Sequence, residues 1–254
     1  MISPIVKLSV SSFILMILQN DALAFGFVKS NEEANINGFL NKLIPNLLYY
    51  RQYRRKKIHD LLEKRILGID TETVYECVNT VIDQVYFSDA ELDILDETIW
   101  FRPSQKKEAA FDEIEDSETA ITGQSTSVYI RGLLNEYCRF PQYKRESISF
   151  DDERRDFAEA STTRRILHAT VDGCSIRMFA FHNVYEYTFS QEVYMIGYNL
   201  TDRRIEAIPL HKMRNTYVVE RQFKPSKALI SKLQEYFENQ QYGTSIEWEE
   251  SYAE

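Results

Sequence analysis

The sequence predicts an α+β protein. Three observations carry that prediction: a strand-helix-helix order within the first 65 residues, an acidic stretch of helical periodicity after it, and five short strands between Arg165 and Val219. With 254 residues, 44% of them hydrophobic and 27% charged, the chain can bury a substantial core and hold one or two domains. Only 8 Gly and 6 Pro stand against 16 Tyr and 15 Phe, which excludes a disordered or loop-dominated chain. The expected segments are a head at 1–65, a connector at 66–155, a small barrel at 156–223 and an αβ extension at 224–254.

The net charge of −9 conceals a gradient. Residues 1–65 carry 10 Lys and Arg against 5 Asp and Glu, whereas residues 66–125 carry 3 against 15. A basic head on an acidic body is the footprint of polyanion contact at one end; the alternative is a solvated, charged helix face.

In the head, Val6, Leu8 and Val10 share one face of a short strand, and Ile5, Lys7 and Ser9 share the other. Ser11 or Ser12 caps a helix through Phe13, Ile14, Ile17, Leu18 and Ala22, which Gly26 ends. Asn35 or Asn37 opens a second helix through Phe39, Leu40, Leu43, Ile44, Leu47 and Leu48. No second strand lies within the first sixty residues, so the strand is expected to pair with its own copy, because unpaired backbone groups are costly. That is the logic of the ribbon-helix-helix fold, a homodimer whose ribbon enters the major groove of duplex DNA.

The candidate nucleic-acid contacts are Lys7 and Ser9 on the ribbon, with Ile5 beside them. The backbone N–H groups near Asn37 and Gly38 are candidates to hold a phosphate. Arg51, Arg54, Arg55, Lys56 and Lys57 add positive charge, interleaved with Tyr49, Tyr50 and Tyr53. That combination suits backbone contact plus base stacking on single strands, although a helix spreads these residues around its circumference. One Lys per ribbon strand is few for strong binding, since affinity follows the number of phosphates neutralised.

The connector is expected to hold a core-facing helix from Thr71 to Val85, a short element near Ala90 to Leu95, an acidic helix from Lys106 to Glu118, and a helix opened by Thr126 and continuing through Leu133, Leu134 and Tyr137. Beyond it come a helix from Asp156 to Ser161 and strands at Arg165–Val171, Ser175–Phe181, Val193–Tyr198, Arg204–Leu210 and Tyr217–Val219. The first two strands meet at an Asp172-Gly173 turn. Five short strands behind a helix fit a small Sm- or SH3-like β-barrel. A helix from Lys227 to Glu238 and a strand around Ser245 to Trp248 close the sequence.

The hairpin Glu192-Val193-Tyr194-Met195-Ile196-Gly197-Tyr198 and Arg203 to Arg214, joined across Asn199-Leu200-Thr201-Asp202, resembles the core hairpin of WYL-domain proteins. The family's Trp-Tyr-Leu triplet stands here as Val-Tyr-Met. Phe101-Arg102-Pro103-Ser104, Leu134-Asn135-Glu136-Tyr137 and the run from Phe140 to Phe150, above all Lys144-Arg145-Glu146, resemble the connector of the family branch with a ribbon-helix-helix head.

The resemblance implies a ligand-sensing or nucleic-acid-binding barrel with Tyr194 at the triplet tyrosine and Lys212 at the second pocket arginine. Pro209 replaces the first arginine. Arg177, His182, Tyr198 and Arg214 are supplementary ligand candidates. Family context implies transcription control, phage defence or CRISPR-associated roles, with a CRISPR effector or another protein as a further partner.

Cys77, Cys138 and Cys174 are odd in number and widely spaced, which indicates neither a zinc site nor a disulfide framework and favours a reducing cytoplasm. Ala22-Leu23-Ala24 after Leu8 to Leu18 looks like a signal-peptidase site. The strand-helix reading accounts better for that segment, with its Ser9, Ser11 and Ser12. No apolar run is long enough to span a bilayer. The acidic groups Glu113, Glu115, Asp116, Glu118 and Asp151, Asp152, Glu153 have no histidine at ligand spacing, so no catalytic or metal site and no cofactor is expected. The expectation is therefore a homodimeric, non-enzymatic regulator binding duplex DNA or single-stranded RNA. The alternative is a dimeric protein-interaction adaptor with a degenerate pocket.

Overall fold

The computed structural model describes residues 5–63, 73–74, 77, 94–104, 108–114, 125–185, 191–239 and 244–249. They fall into two units, Met1–Phe140 and Pro141–Glu254. The division passes through the segment expected as a single connector.

In the first unit, strand β1 (Val6–Val10) buries Leu8 and Val10 and exposes Lys7, as its alternation requires. Its partner is β2 (Glu97–Phe101), antiparallel, with Leu8 opposite Ile99 and Lys7 opposite Trp100. This corrects the expected pairing with a second copy. The backbone groups that called for a partner find one within the chain, and buried Ile99 and Phe101 extend the apolar face of β1. The Ser127 hydroxyl donates to the Lys7 carbonyl at 2.9 Å.

Helix α1 (Ser12–Ala24) begins at Ser11, whose hydroxyl oxygen accepts the Ile14 N–H at 3.4 Å. The Ser12 N–H donates to Asp96 at 2.8 Å, and the Ser12 hydroxyl donates to the same carboxylate. The helix stops at Gly26, whose φ of 77° a residue with a Cβ rarely adopts.

Helix α2 (Ile36–Glu63) is capped by Asn35, which accepts the Gly38 N–H at 2.9 Å. A Cβ on Gly38 would lie 2.8 Å from the Asn35 amide nitrogen, so the cap and the glycine depend on each other. Ile14, Leu18 and Ala22 of α1 and Phe39, Leu40, Leu43, Ile44 and Leu47 of α2 are fully buried. So are Tyr129, Leu133 and Tyr137 of a later helix, and the three sets form this unit's core. Of the acidic helix expected at Lys106 to Glu118, the described part is α3 (Glu108–Glu113). The helix expected at Thr71 to Val85 and the element near Ala90 to Leu95 lie almost wholly outside the described residues. Helix α4 (Thr126–Cys138) is capped by Ser125 and presents Tyr137, whose hydroxyl donates to buried Asp21 at 2.7 Å.

The second unit opens with α5 (Gln142–Ser149) and α6 (Asp151–Thr163), followed by β3 (Arg165–Val171), β4 (Cys174–Tyr185), β5 (Val193–Asn199), β6 (Arg204–Pro209) and β7 (Met213–Gln222). Helix α7 (Lys227–Glu238) and β8 (Ser245–Glu247) complete it. The strands form one antiparallel sheet in the order β7-β3-β4-β5-β6-β8.

This is an open sheet and corrects the expected closed barrel. Closure of that barrel needs its edge strands to pair with one another, whereas β8, from the C-terminal extension, occupies the second edge of β6. The β3–β4 turn has both Asp172 (φ 48°) and Gly173 (φ 83°) in the left-handed region, the pattern of a two-residue primed hairpin turn. Buried Asn199 organises the β5–β6 turn, accepting the N–H groups of Thr201 and Asp202 and donating to Glu206 at 2.8 Å.

Gly197 opposes Ala180 immediately before an irregularity in the β4–β5 ladder at Phe181. A Cβ at Gly197 would lie 2.5 Å from the Phe179 carbonyl oxygen, so β4 passes where only a glycine fits. Helix α7 covers the sheet face carrying Tyr194, Ile196 and Tyr198, contributing Leu229, Leu233 and Tyr236 to the core. Among the described residues no helix is long and apolar enough to cross a membrane.

Candidate nucleic-acid interface

The alternation that buries Leu8 and Val10 turns Lys7 outward, and antiparallel pairing sets Trp100 opposite it. Trp100 is 62% exposed, and the Lys7 ammonium lies 5.3 Å from its ring centroid. Ile5, just ahead of β1, is 54% exposed. The ribbon's outer face thus joins a cation to a large aromatic surface. Trp100 was absent from the sequence-derived candidates. Its signal in the sequence is an aromatic between Ile99 and Phe101, just ahead of the connector motif that opens at Phe101.

Asn37 engages the chain rather than solvent. Its side-chain oxygen accepts the Arg102 N–H at 2.8 Å. One turn on, Asn41 accepts the Ser104 N–H at 2.6 Å and donates to the Arg102 carbonyl at 2.9 Å. Two asparagines spaced i, i+4 therefore clip the segment after β2 to α2. The Gly38 N–H is taken by Asn35, so a phosphate at this helix start competes with the cap.

The basic run on α2 divides into two faces. Arg51 and Arg55 are buried, with Arg51 lying 5.1 Å from the Tyr129 ring centroid. Arg54 donates to Glu136 of α4 at 2.9 Å and lies over Tyr50 at 5.6 Å. Glu136 is itself buried. Burial pushes its carboxyl above the usual range, while the guanidinium groups of Arg51, Arg54, Arg55 and Arg139 pull in the opposite direction. These arginines help bind α2 to α4, where removing one partner of a buried ion pair leaves an uncompensated charge.

The outward face holds Lys56 and Lys57. With Tyr49, Gln52, Tyr53 and Asp60 they line a cleft of about 520 Å³. Tyr49 and Tyr53 are 42% and 54% exposed. Ring faces beside ammonium groups are what base stacking with backbone neutralisation requires.

In the second unit the six ligand candidates serve separate contacts. Tyr194 is nearly buried and donates to Glu192 at 2.7 Å, and fully buried Tyr198 donates to the Trp248 carbonyl at 3.1 Å. Lys212 is exposed, 3.5 Å from Asp172. Arg177 is exposed on β4, and His182 stands edge-on to Phe237 at 4.7 Å.

Arg214 packs over the Phe150 ring at 4.8 Å and donates to the His211 and Met213 carbonyls. Burial lowers its pKa, against the pull of Glu153 and Glu146. Glu146 is fully buried. It accepts the Val193 N–H at 2.8 Å, the His211 N–H at 3.0 Å and lies 2.9 Å from His211 Nδ1. It thereby fixes the first residue of the Tyr194 strand and the corner that carries Lys212.

No family model matches the chain, and no curated protein matches it by sequence. Among solved structures it resembles the crystal structure of a CRISPR Cas-related protein, at 11% identity and a TM-score of 0.63, over 93% of this chain and 71% of that one. The two share a fold. A similarity to proteasome accessory factor B/C of Arthrobacter aurescens, at 14% identity over 89% of this chain and 36% of that one, has a TM-score of 0.28, too low to bear on the fold.

Proposed function

We propose that this chain is a homodimeric, non-enzymatic nucleic-acid-binding regulator or accessory protein of the WYL-domain family, contacting nucleic acid through its first unit. The observation that carries the reading is the ribbon's outer face, where Lys7 stands over exposed Trp100. The Tyr49, Tyr53, Lys56 and Lys57 face of α2 supplies a second set of rings and cations. Exposed aromatic surface beside lysine favours a single strand, because every base offers a ring to stack on. The fold shared with a CRISPR Cas-related protein supports an accessory role beside a CRISPR effector.

A second reading, a dimeric protein-interaction adaptor, draws on α1. Phe13, Met16 and Leu23 are 53%, 49% and 45% exposed at helical spacing, and such apolar surface suits a protein partner.

Fluorescence anisotropy with matched single-stranded RNA, single-stranded DNA and duplex DNA across a salt titration separates the two readings. The first expects salt-sensitive binding that weakens by about tenfold or more in a Trp100→Ala, Lys7→Ala double variant, since stacking of one base contributes about 1–3 kcal/mol. Lys56→Ala with Lys57→Ala is expected to lower the salt slope. Absence of binding to all three at low salt rejects the first reading. Sedimentation of the same samples tests the dimer.

A further inference from the structure

The second unit contains a cleft of about 660 Å³ beneath the start of α7 that involves none of the six ligand candidates. Its walls are Phe179, Ala180 and Phe181 of β4 with Pro225 and Ile230, an apolar lining on both sides. Arg164 and Lys227 also line it, together with Ser161 and Ser231. Both cations are exposed, and neither has an ion-pair partner among the described residues.

The cleft is built by specific local structure. Arg164 follows the last turn of α6 at φ 54°, a left-handed position where Gly or Asn is usual, and its carbonyl accepts the Phe223 N–H at 3.0 Å. That hydrogen bond ties the Arg164 backbone to the end of β7 and so sets where the side chain leaves the main chain. Lys227 is the first residue of α7. Ser226 caps that helix by accepting the Leu229 N–H at 3.0 Å, so the positive end of the helix dipole lies at Lys227 on the rim of the cleft. On the opposite wall, the ladder irregularity at Phe181 and the Gly197 close approach shape β4, and the Ser161 hydroxyl anchors the Phe181 carbonyl at 2.9 Å.

We propose that this cleft binds a small organic anion, with an aromatic or aliphatic body against Phe179, Phe181, Pro225 and Ile230 and one carboxylate or phosphate group held by Arg164 and Lys227. The volume lies within the range of small-molecule sites, about 300–1,000 Å³. Apolar walls with two cationic residues in the lining are the chemistry such a ligand needs: burial of the body supplies affinity, and charge-assisted hydrogen bonds to the anion supply orientation. Nothing in this proposal uses the ribbon or α2, so it stands or falls apart from the nucleic-acid reading.

The test titrates the full chain by calorimetry with 2-naphthoate, 2-naphthyl phosphate and the neutral 2-naphthalenemethanol. Saturable binding of at least one anion is expected, with the alcohol weaker by about tenfold or more, the discrimination of one charge-assisted contact. Arg164→Gln with Lys227→Gln is expected to remove that preference while leaving Tm unchanged, since both side chains are exposed. Ile230→Trp is expected to fill the cleft and abolish binding of all three. The naphthoate and the naphthyl phosphate separate a carboxylate ligand from a phosphate ligand. Lys56→Ala with Lys57→Ala is expected to leave the titrations unchanged. Equal affinity for the alcohol, indifference to the Arg164 and Lys227 double variant, or no saturable binding of either anion overturns the proposal.

Discussion

Glu146 holds His211 twice, through the backbone N–H at 3.0 Å and through Nδ1 at 2.9 Å. Its second oxygen takes the Val193 N–H at 2.8 Å, and none of the side chain is exposed. Glu146→Ala leaves buried donors without an acceptor, so a loss of about 3 kcal/mol is expected. Glu146→Gln should recover part of it, because its amide oxygen still accepts one N–H. Urea unfolding followed by circular dichroism measures both variants, and an Ala midpoint equal to wild type rules out this bridging role.

Gly197→Ala places a methyl group 2.5 Å from the Phe179 carbonyl oxygen and 2.8 Å from Met178 Cγ. The nearest atom is backbone, which cannot swing aside, so β4 and β5 must separate locally. The expected cost is about 2–3 kcal/mol, the range of overpacking in a rigid site. Thermal unfolding checks it, and the Phe181 wall of the α7 cleft should shift with it. A variant as stable as wild type shows that the ladder relaxes freely there.

Asp156 accepts a hydrogen bond from the Thr216 hydroxyl at 2.5 Å, and burial raises its carboxyl above the usual 3.8. Thr216 pulls the other way, and Asp152 adds to the rise. In the window between 3.8 and the raised value, the folded chain keeps a proton that the unfolded chain has released. This group's contribution therefore declines as pH rises through that window. Asp156→Asn removes the dependence while retaining an acceptor for Thr216. The wild-type Tm minus the Tm of the Asp156→Asn variant is expected to decrease as pH rises from below 3.8. A difference that is constant or increases contradicts the assignment.

Asn35→Ala and Asn37→Ala probe two different tasks at the start of α2. The first removes the acceptor for the Gly38 N–H and should cost about 1 kcal/mol, as helix caps do. The second frees the Arg102 N–H and should loosen the segment after β2. Amide exchange at Arg102 and Ser104 is expected to accelerate for Asn37→Ala and to remain slow for Asn35→Ala. Equal protection in both variants means the clip is not formed.

Local patterns made most of the fold readable. Short strand-like runs bounded by turn residues located β3 to β6, the Asp172-Gly173 pair located their first turn, and the helix expected from Lys227 to Glu238 is α7. Strand β7 starts at Met213, ahead of the expected Tyr217, and its pairing with β3 is irregular between His168 and Thr170. The candidate sites depended on distant partners. Arg51, Arg54 and Arg55 read as free charge until Glu136 comes beside them, a contact 82 positions away for Arg54. Glu146 stands beside Lys144 and Arg145 in a charged run, and its partners are Val193 and His211, 47 and 65 positions on, which no local pattern shows. Trp100 became a candidate only through its register with Lys7.

The Val6–Val10 and Glu97–Phe101 pairing also bears on synthesis of the chain. During translation, β1 leaves the ribosome on the order of ten seconds before its partner, at ordinary elongation rates. Through that interval Leu8 and Val10 have no opposing Ile99, and the strand offers both edges to any neighbouring nascent chain. Closing a loop of about ninety residues then costs about 4 kcal/mol in chain entropy before the pairing returns anything. A polysome makes many copies side by side, so β1 is open to mispairing with neighbouring nascent chains until Glu97–Phe101 has been made.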